Sequence, residues 1–184
     1  ARLVGRGDQI VYLRDFFQTY SGVVRLSTFR IFLAICALYG LALTGADVST
    51  AYLHAPLRNC TVWMKQPKGF DGVCVEGEPA LCLLKMALYG LRQSAREWAI
   101  TLAAWLEEEP QAFTRCTSDR YMFVKKTGES VLYLLLWVDD IFMGCNDATM
   151  RGNFMKAFSA RFRVKDLGTL TQGLGSSIEQ DLQK

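Results

Sequence analysis

Three aspartates, Asp47, Asp139 and Asp140, have the types and settings that could do chemistry. Asp139 and Asp140 follow Leu134-Leu135-Leu136 and precede Ile141-Phe142, and Asp47 comes shortly after Leu41-Ala42-Leu43. Carboxylates are rarely placed among apolar residues unless they are paired or bound to metal. Neighbouring side chains of a strand point to opposite faces, so Asp139 and Asp140 can both point inward only at a sharp turn. Brought to that turn, Asp47 completes a cluster of three negative oxygen donors. Such a cluster repels itself, and hard divalent cations such as Mg²⁺ resolve the repulsion. Two such ions roughly 3.5–4 Å apart can activate an attacking hydroxyl, stabilise an in-line displacement and neutralise a leaving pyrophosphate. The dipeptide alone fits an ordinary polar β-turn equally well, so the question passes to the surrounding sequence.

The elements that must position these acids alternate between helical and extended patterns. Ser27-Thr28 can cap a helix from Phe29 to about Tyr39, with Gly40 in the usual stop position. Leu41 to Tyr52 reads as a strand leading into a tight bend at His54-Ala55-Pro56. Thr61–Met64 and Leu81–Lys85 are short strands. From Ser94 to about Glu108 apolar residues recur at helical spacing until Pro110. Tyr121–Val124 and Val131–Trp137 form a hairpin around a turn spanning Lys125 to Ser130. Strand character resumes at Ile141, which puts Asp139-Asp140 at the tip of a second hairpin. Ala148 to Phe162 is an amphipathic helix with Met150, Phe154, Ala157, Phe158 and Phe162 on one face. The order is α+β, with helices packed on one side of an antiparallel sheet.

Composition narrows the class without naming it. The 184 residues suit one domain or a bilobed one, and 51% apolar with 21% charged residues is ordinary for a globular chain. A net charge of +3 does not announce a nucleic-acid binder; the basic residues gather locally at Arg2, Arg6 and Arg14, at Lys65 and Lys68, and from Arg151 to Lys165. Each group also reads as a solvated face. The six cysteines never approach a C-x-x-C spacing and His54 is the only histidine, which argues against a thiolate zinc site and for free thiols in a reducing compartment. The apolar run Ile31–Leu43 is ~13 residues, short of the ~20 needed to span a bilayer, so a buried helix and no membrane role are expected. The chain opens Ala1-Arg2-Leu3-Val4 with neither an initiator methionine nor a signal peptide, and reads as excised from something longer.

Six blocks settle the reading. Asp47-Val48-Ser49-Thr50-Ala51-Tyr52-Leu53, Trp63-Met64-Lys65-Gln66-Pro67-Lys68-Gly69-Phe70, Leu88-Tyr89-Gly90-Leu91-Arg92-Gln93 and Trp137-Val138-Asp139-Asp140 occur in this order. Together with Ala1–Gly7 and Val24–Arg30 they resemble the Ty1/copia retrotransposon reverse transcriptase pattern, in which DVKTAFL leads to MxQPxGF, LYGLKQ and YVDD. Lys165-Asp166-Leu167-Gly168 is similar to that family too, so the resemblance covers essentially the whole chain.

The resemblance implies the fingers and palm of a right-hand polymerase, interleaved as roughly 1–40 and 60–95 (fingers) and 41–59 and 96–184 (palm), with the thumb absent. It implies RNA-directed DNA polymerase activity, a nucleotidyl transfer from dNTP to a primer 3′-hydroxyl. Asp47, Asp139 and Asp140, with the Val48 carbonyl, would hold two Mg²⁺, Mn²⁺ being a possible substitute. Lys165 matches the basic residue that protonates pyrophosphate, and equally reads as a solvated lysine. Tyr52 would stack under the incoming sugar, or simply pack. Tyr89, Gly90 and Arg92 would touch nucleotide and template backbone, and Arg2 and Arg6 the triphosphate. Trp137 and Val138 would lie at the primer terminus, with Leu174 and Gly175 in the primer-grip hairpin. Implied partners are an RNA or DNA template-primer, dNTP, and flanking RNase H, integrase and protease segments of a polyprotein. The implied location is intracellular, in a cytoplasmic virus-like particle or the nucleus. Three departures from the pattern stand out: Trp137 for Tyr, which could crowd the primer; Ala95 for Pro; and Gly173 for Phe, which would remove a packing side chain and loosen its strand. They leave open a second reading, a decayed remnant that folds or binds nucleic acid without polymerising.

Overall fold

The computed structural model describes residues 3–182 apart from 68, 70–73 and 76. In chain order the elements are α1 (Leu26–Leu38), β1 (Ala42–Val48), a 3₁₀ turn (Ala51–His54), β2 (Trp63–Lys65), β3 (Cys74–Val75), β4 (Glu78–Pro79), β5 (Leu81–Leu83) and α2 (Ser94–Glu107). There follow β6 (Thr114–Arg115), β7 (Met122–Thr127), β8 (Ser130–Trp137), β9 (Asp140–Cys145), α3 (Ala148–Arg161), β10 (Val164–Thr169), β11 (Gln172–Gly173) and β12 (Ser176–Ser177). They fall into two compact units: Ala1–Ser21 with Tyr52–Thr101, and Gly22–Ala51 with Leu102–Lys184. Residues 22–40 therefore group with the large sheet, and 52–59 and 96–101 with the other unit.

The larger unit is built on a six-stranded antiparallel sheet in the order β10-β1-β9-β8-β7-β6. Leu132, Leu134, Leu135, Leu136, Ile141, Phe142, Met143 and Cys145 are all buried, so its central strands are covered on both faces. One face carries α1, whose Phe29, Phe32 and Cys36 meet Leu43, Leu135 and Phe142. Gly144 makes this approach possible, because a Cβ there would run into Cys36 and lie 2.9 Å from the Phe32 ring. Helices therefore do not keep to one side as expected, because the central strands are apolar on both faces: opposite α1, α3 packs against β8, β9 and β10. There Trp105, Phe154, Phe158 and Phe162 form an aromatic cluster with ring centroids 5.3–6.1 Å apart. Phe154, Phe158 and Phe162 are among the residues expected on one face of α3, and Trp105 joins them from α2.

Several boundaries differ from expectation, each for a local reason. The β7–β8 turn is only Gly128-Glu129, since Thr127 pairs with Ser130 and Gly128 adopts φ +59. The strand expected to reach Tyr52 stops at Val48, where Thr50 takes φ +56 and a 3₁₀ turn begins. Helix α1 is not capped by Ser27 or Thr28. Its N-cap residue Arg25 offers no side-chain bond, and the Asp119 carboxylate accepts from the Arg25 N–H at 3.0 Å instead. The stop at Gly40 is as expected: with φ +60 it lets Leu41 N–H return to the Cys36 carbonyl at 2.9 Å. The helix is buried on one side only, with Ile31 58% and Leu38 76% exposed, because the sheet covers a single face. Among the described residues, no helix is long and apolar enough to cross a membrane.

In the smaller unit β2 pairs with β5 and β3 with β4, beside a core of Val62, Leu88 and Leu91. Glu97, buried on α2, is neutralised by Arg58 at 3.0 Å and Arg96 at 3.2 Å. The N-terminal strand of chain lies directly on the Tyr89-Gly90 backbone. Gly5 N–H donates to the Tyr89 carbonyl at 2.7 Å, and a Cβ on Gly7 would collide with the Gly90 carbonyl.

Glycine substitutions give a direct check on these packing claims. Gly144→Ala should destabilise the chain by about 1–3 kcal/mol through overpacking against α1. Gly152→Ala, in open space within α3, should stabilise it by about 0.5–1 kcal/mol through reduced backbone entropy. Urea denaturation midpoints of the two variants should move in opposite directions.

Candidate active site

Backbone pairing alone brings the acids together. Asp47 on β1 is the cross-strand partner of Asp140 on β9, and Asp140 is in turn the partner of Trp137 on β8. On its other side Asp47 pairs with Lys165 on β10. Directly opposed residues share a face, so Lys165, Asp47, Asp140 and Trp137 form one transverse row across four strands. This is the α1 face of the sheet, since Phe142 and Gly144 alternate with Asp140.

Asp139 occupies the turn. The β8–β9 hairpin closes on the pair Trp137–Asp140 through a two-residue loop, Val138-Asp139. Val138 has φ +56, a costly conformation for a β-branched side chain, on the order of 1–3 kcal/mol. The tip is tied to β1 because Val48 N–H donates to the Asp139 carbonyl at 2.8 Å. Val48 thus lies against the Asp139 backbone at the end of β1.

The electrostatics follow from this crowding. Burial, then the Asp139 and Asp47 carboxylates, raise the Asp140 pKa above the ordinary carboxylate value. Lys165 is exposed and makes no ion pair with Asp47. Among the described residues, no group of three or more His, Cys, Asp or Glu side chains is drawn into a metal-holding arrangement. Strand register sets Asp47 opposite Asp140 with Asp139 in the adjoining turn, and carboxylate oxygens are the donor type that hard divalent cations take.

Beside this row lies a cavity of about 490 Å³ lined by Asp140, Phe142, Gly173, Leu174 and Gly175. Leu174 and Gly175 form the two-residue turn of the β11–β12 hairpin, with φ +46 and +78. The residues expected at the primer grip therefore share a cavity wall with an expected metal ligand.

In the smaller unit five expected nucleotide-contact residues, Tyr52, Tyr89, Gly90, Arg92 and Arg6, lie in one neighbourhood. The Tyr52 and Tyr89 rings are 4.6 Å apart and tilted by 40°. Arg92 Nε donates to the Gly7 carbonyl at 3.0 Å, and its guanidinium lies 5.6 Å from the Phe16 ring centroid. Gly90 adopts φ +90 and accepts the close approach of Gly5. Arg6, just between Gly5 and Gly7, is exposed and engages Asp8 through two hydrogen bonds of 2.9 and 2.7 Å, which hold the Asp8 carboxyl at about 2. Arg2 lies outside the described residues. Of the other basic residues, Arg14 is paired with Asp15 and Arg151 with Asp166.

Comparison with known families decides the class: the reverse transcriptase (RNA-dependent DNA polymerase) model matches residues 1–184. The chain belongs to that family. It is 35% identical to the retrovirus-related Pol polyprotein from transposon RE1 of Arabidopsis thaliana over 95% of this chain and 12% of that protein. It is 34% identical to the RE2 polyprotein of the same plant over the same shares. Against the transposon TNT 1-94 polyprotein of Nicotiana tabacum the identity is 32%, over 98% of this chain and 13% of the relative. The chain thus spans about an eighth of the length of these relatives. No solved structure gives a significant match.

The structure also locates the departures from the reverse transcriptase pattern. Ala95 sits in the first turn of α2, where proline and alanine are both accommodated. Trp137 is half-buried and packs against the α1 cluster. Gly173, expected to remove a packing side chain, leaves no gap. It is buried, and a Cβ there would lie 2.8 Å from Phe29 and 3.2 Å from Phe142, so those rings already fill the space. Sequence reading missed Asp119, which is 5% exposed and accepts three hydrogen bonds. Its only local signal is Ser118-Asp119 before a strand, which looks like any turn.

The raised Asp140 pKa has a definite sign. Its ionisation is disfavoured in the folded state, so stability from this group is fullest below the ordinary carboxylate pKa of 3.8 and falls as pH rises through the higher folded value. Without divalent cation, Asp140→Asn should therefore raise the melting temperature at pH 7 relative to the parent. The gain should vanish near pH 3, where both proteins are uncharged at this position. A melting series across pH 3–7 would measure it; no difference at pH 7 would mean that neither burial nor the neighbouring acids penalise the charged Asp140 appreciably.

Proposed function

We propose that this chain is the fingers and palm of an RNA-directed DNA polymerase from a copia-type retrotransposon polyprotein, the sheet-bearing unit being the palm and the smaller unit the fingers. The observation that carries the reading is the pairing of Asp47 with Asp140 beside Asp139 at a strained hairpin tip. Asp47, Asp139 and Asp140, with the Val48 carbonyl, would hold two divalent ions, Mg²⁺ or in its place Mn²⁺. When bound, these supply the positive charge that activates the primer hydroxyl and stabilises the in-line displacement.

The chain's own residues account for the remaining requirements. The bond formed joins the primer 3′-oxygen to the α-phosphorus of a dNTP, and the bond broken releases pyrophosphate. Lys165, across β1 from the acids, is the candidate proton donor to that leaving group. The Tyr52–Tyr89 ring pair offers a surface for the incoming sugar, and Arg6 and Arg92 offer cationic partners for phosphate oxygens. Arg2 is assigned to the same task. Trp137 and Val138, beside Asp140 in the hairpin, and Leu174 and Gly175, which border a cavity with Asp140, would position the primer end. Template pairing would select the base, while the protein holds the duplex through its backbone. RNase H, integrase and protease segments are its proposed neighbours in the polyprotein. The six free cysteines agree with a reducing setting, such as a cytoplasmic particle or the nucleus.

Primer extension on a primed RNA template tests the reading, with the parent compared against the double variant Asp139→Asn/Asp140→Asn. The parent should incorporate labelled dNTP only with Mg²⁺ or Mn²⁺, and the variant should lose about 10²–10³-fold or more. Both should bind primer-template with an affinity that falls steeply with salt. A folded parent that binds the duplex but extends no primer, even with a C-terminal thumb fused, would favour the non-catalytic remnant.

A further inference from the structure

Asp119 lies outside every motif that suggests polymerase chemistry, yet it anchors one shoulder of the acid-bearing hairpin. Its carboxylate is met by donors on both sides. Oδ2 accepts from Arg25 N–H at 3.0 Å and from Thr28 Oγ1 at 2.7 Å, and Oδ1 accepts from Tyr121 N–H at 3.0 Å. Helix α1 has no acidic residue in its first turn and no side-chain cap from Arg25. Asp119 is therefore the negative group that meets the positive end of that helix.

The same residue organises the backbone around Leu136. The β7–β8 ladder ends at Met122–Leu135. Beyond it, Leu136 N–H donates to the Tyr121 carbonyl at 2.9 Å, and the Leu136 carbonyl accepts from Val24 N–H at 3.2 Å. Tyr121 also receives Gly22 N–H on its hydroxyl at 2.7 Å. Gly22 is held close, as a Cβ there would lie 2.7 Å from the Tyr121 ring. The two segments that grip Leu136, Gly22–Arg25 and Asp119–Tyr121, thus meet at the Asp119 carboxylate. The next residue, Trp137, is the partner of Asp140.

We infer that Asp119 is a positioning residue, which holds the Val138-Asp139 turn and Asp140 in place by locking Leu136 between Tyr121 and Val24. This rests on the reading of Asp139 and Asp140 as metal-binding acids. Its three partners are all donors, so only an acceptor-only group satisfies them. An asparagine would set its own N–H₂ against a donor on one side. The hairpin can withstand the strain at Val138 only while its shoulders are held.

Hydrogen–deuterium exchange on the whole 184-residue chain tests the positioning, and Mn²⁺ titration followed by electron paramagnetic resonance tests the site it serves. Asp119→Asn should speed exchange of the Leu136 to Asp140 amides about tenfold, the order expected for losing a charge-assisted hydrogen bond. Amides in the β1–β9 ladder around Met143 should stay at the parental rate, and Mn²⁺ affinity should fall several-fold. Phe154→Ala, which weakens the opposite face of the sheet, should leave the ratio of hairpin to ladder exchange unchanged. If Asp119→Asn does not fold, Thr28→Ala removes one of the three donors and should show the same pattern with a smaller rise. Faster exchange confined to the first turn of α1, or spread evenly over the sheet, with parental Mn²⁺ affinity would reduce Asp119 to a helix cap and overturn the proposal. Faster hairpin exchange in a chain whose parent binds no Mn²⁺ would uphold the positioning while rejecting the metal-site reading.

Discussion

Like charges brought together by strand pairing are the constraint on which the rest of this structure turns. Directly opposed residues of antiparallel strands have Cβ atoms ~4.5–5.5 Å apart, and here the opposed residues are Asp47 and Asp140. Asp139 adds a third carboxylate from the adjoining turn. Repulsion at that spacing is on the order of a few kcal/mol before solvent screening reduces it. The ladder cannot relax it, because slipping by one residue would exchange the side chains packed against α1 with those packed on the opposite face. Burial first, and then this repulsion, raise the Asp140 pKa. A divalent cation would convert that liability into affinity, which is the physical basis of the phosphoryl-transfer role proposed for these acids.

Holding the acids in place requires rigidity on both faces of the sheet. On one side α1 sits close to β9 because Gly144 leaves room for Phe32 and Cys36. Burial pushes the Cys36 thiol up to about 12, so it behaves as an inert apolar group. On the other side the aromatic cluster of Trp105, Phe154, Phe158 and Phe162 supports β8, β9 and β10 through α3. Helix α3 starts sharply because Asp147 accepts from the Thr149 and Met150 N–H groups. Gly173 belongs to the same frame. Its buried backbone admits the Phe29 and Phe142 rings, so the departure from the family pattern is packed over rather than left as a void.

The smaller unit solves a different problem with less core. Its hydrophobic cluster is small, and two glycines let one backbone lie against another: Gly7 and Gly90. Arg6 and Arg92 flank this contact, and the Tyr52–Tyr89 pair lies beside the same segment. The side chains proposed to reach a phosphate are thereby mounted on backbone-to-backbone contacts, which tolerate no added carbon.

Much of this was legible in the residues themselves. Apolar periodicity located α2 and α3, and the hairpin carrying Asp139-Asp140 followed from two apolar runs interrupted by acids. Ordered motifs indicated the family over the whole chain. Local patterns encode these features because burial of one face and turn chemistry act over a few residues. What the tertiary structure alone decided involves distant partners. Asp119 capping α1 from 94 residues away in sequence, Lys165 falling opposite Asp47, and Phe29 filling the space beside Gly173 leave no local signal. A hydrogen bond or a filled cavity between remote segments depends on which strands pair and in which register, and no short window of sequence contains that choice.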